Sequence, residues 1–158
     1  MNSSAVLLPA FLIGVIAGLR SLTAPAVVAW AAHLNWVNLH NTHLSFMGST
    51  AAVAIFTTLA IAELVADQLP STPSRLAPPG LSARIILGGL SGAALAAAGA
   101  QSLAIGTILG IVGGVAGAFA GYKVRTRLVK ALKVPDIVIA VLEDAVAIGG
   151  GLFLVTRF

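Results

Sequence analysis

From Pro135 to Val155 the chain is apolar, and past its first turn the only charged residues are the adjacent pair Glu143-Asp144. A helix of about twenty residues, rising roughly 1.5 Å per residue, crosses the ~30 Å hydrocarbon core of a bilayer. Two acids near its middle are expensive, at roughly 2.5–3.5 kcal/mol for a central Asp on insertion scales. They require partners, protons, a cation or water. The chain therefore has to build a polar cluster inside an apolar helical frame.

Composition extends the argument to the whole chain. Of 158 residues, 58% are hydrophobic and 9% charged, against about 25% charged in soluble domains. One soluble core cannot hide so much apolar surface, so lipid must cover much of it. The chain has no cysteine, which excludes disulfides, thiolate metal sites and cysteine nucleophiles. Its formal charge of +4 is concentrated in one segment that orients the chain in the membrane and does not suggest nucleic-acid binding.

The pattern predicts a single all-α membrane domain over residues 1–158 with five spans, at about 6–34, 46–69, 81–100, 103–122 and 135–155. The first stretch lacks the basic start of a signal peptide, and Arg20 falls where an apolar region should be ending, so it reads as a retained span. Arg20, Ser21, Thr23 and Pro25 lie in its middle. Pro25 removes a helical hydrogen bond and disfavours helix at Ala24, which predicts a kinked or broken helix. Four spans plus a re-entrant first segment is the alternative. Residues 35–45 form a polar loop between Trp30 and Trp36 on one side and the second span on the other. Residues 71–80 form a Pro- and Ser-rich connection.

The fourth span carries Gly106, Gly110, Gly113, Gly117 and Gly121 on one face, a glycine-zipper pattern that lets another helix approach backbone to backbone. Tight packing, within or between subunits, is favoured over a sliding or pore-lining surface. Residues 122–133 then form a basic amphipathic segment, in which Lys123, Arg125, Arg127 and Lys130 suit anionic lipid headgroups. The excess of Lys and Arg there, with Arg75 and Arg84, places that side in the cytoplasm. With five spans the amino terminus lies on the same side and the carboxy terminus outside. The setting implied is a bacterial inner membrane.

Glu63 and Asp67 are four apart at the end of the second span and share a helix face. Counted from the cytoplasmic side, Glu63 and Glu143 reach similar depths, and Arg20 lies deeper. Arg20, Glu63, Asp67, Glu143 and Asp144 are thus candidates for an ion- or substrate-binding cluster. The competing reading is a structural salt bridge that fixes helix packing. More acids than cations at this depth leave one carboxyl to be protonated or to bind a cation. His33, His40 and His43 read as solvated loop histidines rather than zinc ligands.

Gly18-Leu-Arg20-Ser, Glu63-Leu-Val-Ala-Asp67-Gln-Leu-Pro70, a Gly/Ala-rich hairpin and Leu142-Glu143-Asp144 together resemble a family of small bacterial integral-membrane proteins. That family is known as domain of unknown function four-one-two-six. The resemblance covers nearly the whole chain and implies an integral membrane protein with polar residues at these positions, without an activity to transfer.

No catalytic constellation or cofactor motif is visible, so the chain does not read as an enzyme. The favoured reading is a small transporter or channel for a cation, proton or small solute, working through intramembrane carboxylates. At this size a homo-oligomer held by the glycine face is expected. The alternatives are a non-transporting scaffold or accessory subunit and a lipid-headgroup-binding membrane protein.

Overall fold

A computed structural model describes residues 3–68 and 74–158. The last residue of the second expected span, Leu69, and the first part of the proline-rich connection, with Pro70 and Pro73, lie outside the described residues. Six α-helices make up the fold: α1 (Ser3–Leu19), α2 (Thr23–His33), α3 (Thr50–Ala66), α4 (Pro78–Ala98), α5 (Leu103–Leu132) and α6 (Asp136–Thr156), with a 3₁₀ turn at Ser45–Gly48 before α3. Among the described residues no strand occurs. The helices α4, α5 and α6 are long and apolar enough to cross a membrane, while α1 and α3 are shorter apolar helices.

Helix boundaries follow local chemistry. The Ser49 side chain accepts a hydrogen bond from the Ala52 amide at 3.1 Å and starts α3. Pro78 and Pro79 open α4, where missing amide protons cost nothing. Pro25 sits in the first turn of α2, so it starts a helix instead of kinking one. Between α1 and α2, residues 20–22 lie outside both helices.

The expected first span, about 6–34, is therefore two helices, and the chain reverses between them. Side chains of Ile16 on α1 and Val27 on α2 both meet Gly151 on α6, which a continuous helix could not achieve. Helix α1 runs parallel to α5. Val6 abuts Gly99 at the α4–α5 turn, Gly14 abuts Gly110, and Gly18 abuts Gly114 and Gly117. Helix α2 then returns antiparallel to α3, with Trp30 Nε1 donating to Thr57 Oγ1 at 3.0 Å. This corrects the expected side of the amino-terminal segment: its start lies at the α4–α5 turn, away from the basic segment at residues 122–133. The first segment is a helical hairpin, not one continuous helix.

The expected fourth span and the basic segment are one 30-residue helix, α5. Its glycine face is filled within the chain. A Cβ on Gly110 would strike the Gly88 carbonyl of α4, and one on Gly14 would strike the Gly110 carbonyl. Backbones of α1, α4 and α5 thus touch directly around Gly110, as small-residue faces permit. The face that was expected to hold an oligomer is used internally and is not open to a second copy. Away from the charged end, Val37, Leu39, Met47, Leu95 and Val155 close the apolar core. Ile55, Ile61, Ile108, Val112, Val146 and Phe153 face outward, as a lipid-covered surface requires.

Candidate functional site

All five acidic residues of the chain, Glu63, Asp67, Asp136, Glu143 and Asp144, gather at one end of the bundle around the turn between α1 and α2. The turn exists because the last carbonyls of α1 and the first amides of α2 find side-chain partners there.

Glu63, near the end of α3, caps the start of α2. Its Oε1 accepts from the Ser21 amide at 2.8 Å and from the Ser21 hydroxyl at 2.5 Å, and its Oε2 accepts from the Leu22 amide at 2.8 Å. These two amides lie just before α2, at its positive end, so a carboxylate that accepts from them also suits the helix dipole. The Ser21 amide and hydroxyl are thus both satisfied by Glu63.

Arg20 in the turn is fully buried. Its Nε donates to Asp144 on α6 and its NH1 to Asp67 at the end of α3. Its NH2 lies 4.0 Å from Glu143 Oε2 and has no hydrogen-bond partner among the described residues. Arg20 was expected nearer the midplane, with Asp67 closer to the surface. The reversal at residues 20–22 brings the two to one level, because the first segment turns where α3 ends.

Glu143 forms a two-pronged pair with Arg75, one prong being NH2 to Oε2 at 2.7 Å. Arg125 approaches Glu143 Oε2 at 3.5 Å and holds Asp136 through both ends of its fork, with Nε to Oδ1 at 2.9 Å. Arg84, six positions into α4 and so about 9 Å along it, is buried. It donates from Nε to the Gly18 carbonyl at 3.0 Å and from NH1 to the Gly80 carbonyl at 2.8 Å. Gly18 lies in the last turn of α1, where the free carbonyls form the negative end of the helix.

The structure thus brings together the five predicted residues Arg20, Glu63, Asp67, Glu143 and Asp144. Sequence reasoning missed three further members, Arg75, Arg84 and Arg125. A signal existed for Arg125, which continues the four-residue steps Gly117 and Gly121 and so shares the buried face. It was grouped with the headgroup residues, but it turns inward, whereas Lys123, Arg127 and Lys130 are exposed. Arg75 and Arg84 enter the sequence reading only as basic residues that mark the cytoplasmic side. With four arginines present, the expected excess of uncompensated acid is largely removed.

Beside the cluster, towards the basic segment, lies a cavity of about 820 Å³. Ser21, Glu63, Arg84, Arg125, Lys130 and Asp136 are among the residues that line it. Among the described residues no three His, Cys, Asp or Glu side chains converge as metal ligands. His33 Nδ1 lies 2.9 Å from the Gly48 carbonyl, and His40 Nε2 lies 2.9 Å from Asn35 Oδ1.

Residues 7–157 match the family described as Domain of unknown function (DUF4126), and the chain belongs to it. No curated protein and no solved structure is significantly similar to the chain.

Proposed function

We propose that this chain is a small membrane transport protein for an ion or small polar solute. In this reading the cavity admits the solute, and Arg20, Glu63, Asp67, Glu143 and Asp144 form the site or gate at its inner end. The observation that carries it is Arg20. A fully buried guanidinium joins the turn of a helical hairpin to α3 and α6, directly behind a cavity lined by charged side chains. Ionisable groups inside a membrane are by default candidates for solute pathways and relays. Broken helices whose ends meet polar groups are the usual way membrane proteins build such sites.

By the distribution of Lys and Arg, the cavity opens to the cytoplasm of a bacterial inner membrane, and both the start of α1 and the end of α6 lie outside. This reading keeps the apolar helices in the bilayer, with α3, α4, α5 and α6 crossing it and α1 and α2 as a hairpin whose turn lies level with the end of α3. Lys123, Arg127 and Lys130 contact anionic headgroups. A homo-oligomer, if formed, uses the outward apolar faces of α5 and α6.

A second reading has its own support. Each acid of the cluster has a basic partner or backbone donors, as in a scaffold whose charges only lock helices together. Reconstitution into liposomes separates the two. Currents are recorded on a solid-supported membrane against H⁺, Na⁺, K⁺, Mg²⁺ and small anions, with Glu143→Gln alongside. Transport predicts a current that a folded Glu143→Gln protein loses. A scaffold gives silence across the panel and a variant that only melts earlier.

A further inference from the structure

The charges around the cavity are not equally compensated. Three carboxylates line it, and each is already engaged. Glu63 accepts from the Ser21 and Leu22 amides, Asp67 from Arg20, and Asp136 from Arg125. Arg75 is likewise occupied by Glu143. Arg84 is different. It is buried and lines the cavity, yet among the described residues no carboxylate lies within ion-pair distance of it. Its two hydrogen bonds among the described residues go to carbonyl oxygens. A guanidinium has five N–H donors in a fixed fork suited to a carboxylate or phosphate, so two neutral acceptors leave most of that capacity unused. Lys130 also lines the cavity, and among the described residues it makes no ion pair.

We propose that the cavity binds an oxyanion-bearing group, with Arg84 as its buried anchor and Lys130 as the cation at its mouth. The shared chemistry is a phosphate, carried either on a soluble small molecule or on a lipid headgroup. The cavity volume of about 820 Å³ suits a group larger than inorganic phosphate, since small-molecule sites run from roughly 300 to 1,000 Å³. Asp67 and Asp136 are paired with arginines, and Glu63 is held by neutral amides and a hydroxyl. The lining as a whole carries four cations, Arg75, Arg84, Arg125 and Lys130, against these three acids, so its net charge favours such a group. This inference rests on reading the cavity as the substrate site, and it names the substrate class.

The test is binding, not flux. The full chain is placed in nanodiscs of neutral phosphatidylcholine and titrated with glycerol 3-phosphate. Its melting temperature is followed with Arg84→Gln, Lys130→Gln and Arg157→Gln alongside. Arg157 is exposed and is not among the cavity-lining residues. The expected result is a saturable rise in melting temperature that is lost in Arg84→Gln, shifted several-fold to higher ligand concentration in Lys130→Gln, and unchanged in Arg157→Gln. If Arg84→Gln does not fold, the Lys130→Gln and Arg157→Gln comparison decides. Nanodiscs doped with phosphatidylglycerol separate the sources: a headgroup ligand raises the melting temperature by itself and blocks the soluble probe, whereas a soluble ligand binds regardless of doping. No stabilisation by either source, or equal loss in Arg157→Gln and Lys130→Gln, overturns the proposal. Ion currents without phosphate binding would overturn it while leaving the transport reading standing.

Discussion

Arg20 and Asp144 are bonded across 124 residues of chain, and the bond fastens the turn of the first helical hairpin to the last helix. Removing one partner of a buried pair strands the other, at roughly 3–5 kcal/mol. Arg20→Met, which strands Asp67 as well, is expected to lower stability by that amount in unfolding titrations in detergent micelles. Arg20→Lys is expected not to rescue it, because a single ammonium cannot span two carboxylates as a planar fork does. The double variant Arg20→Met/Asp144→Leu is expected to lose less than the sum of the single changes. Strict additivity would show that the pair is not coupled.

Glu63 acts on backbone amides, which gives it a signature of its own. Glu63→Ala leaves the Ser21 and Leu22 amides without their acceptor, at a cost of about 1–3 kcal/mol. Hydrogen exchange at these two amides is expected to accelerate in Glu63→Ala and to change less in Glu63→Gln, which keeps one oxygen acceptor. Unchanged exchange in both variants would remove Glu63 from its capping role.

The contact between α1, α4 and α5 leaves no room at Gly110. Gly110→Val would press on the Gly88 carbonyl, and overpacking of this kind typically costs about 1–3 kcal/mol. Gly149 has open space around it, so Gly149→Ala is expected to leave stability unchanged or slightly higher. Thermal unfolding of the two purified variants checks the contrast. Equal behaviour would contradict close packing at Gly110.

The apolar runs made most of the helices legible in the sequence. Their lengths and the glycine steps are local patterns, and α4, α5 and α6 follow them closely. The reversal at Arg20 was not legible. Pro25 signals a disturbance, but a kink and a turn share the same local sequence. What decides between them is Glu63, which caps α2 from another helix. The partners of the acids were hidden for a similar reason. Arg75 lies within the proline-rich connection and Arg84 just after it, and both count in the sequence only towards the cytoplasmic side, until the bundle folds them inward. Arg125 could have been found by extending the glycine face one more step.

The reversal also fixes which ends of the chain are neighbours. Val6 lies against Gly99, at the end opposite Lys133. In this cysteine-free chain, Val6→Cys with Gly99→Cys is expected to cross-link on oxidation. Impermeant thiol labelling of the exposed Ala5→Cys and of Lys133→Cys in inverted and right-side-out vesicles is expected to place the two on opposite sides. Failure of the cross-link together with same-side labelling of these two positions would restore a single first crossing.

The most direct test of the transport reading places a probe in the cavity itself. Ala83 lines it beside Arg84, and Ala83→Cys is a small change. Flux through liposomes carrying this variant is followed while an impermeant, bulky thiol reagent is added from one side at a time. The account requires labelling from the side of the basic segment only, with flux falling as labelling proceeds. Complete labelling with flux unchanged would contradict it, because solute would then be crossing somewhere other than this cavity.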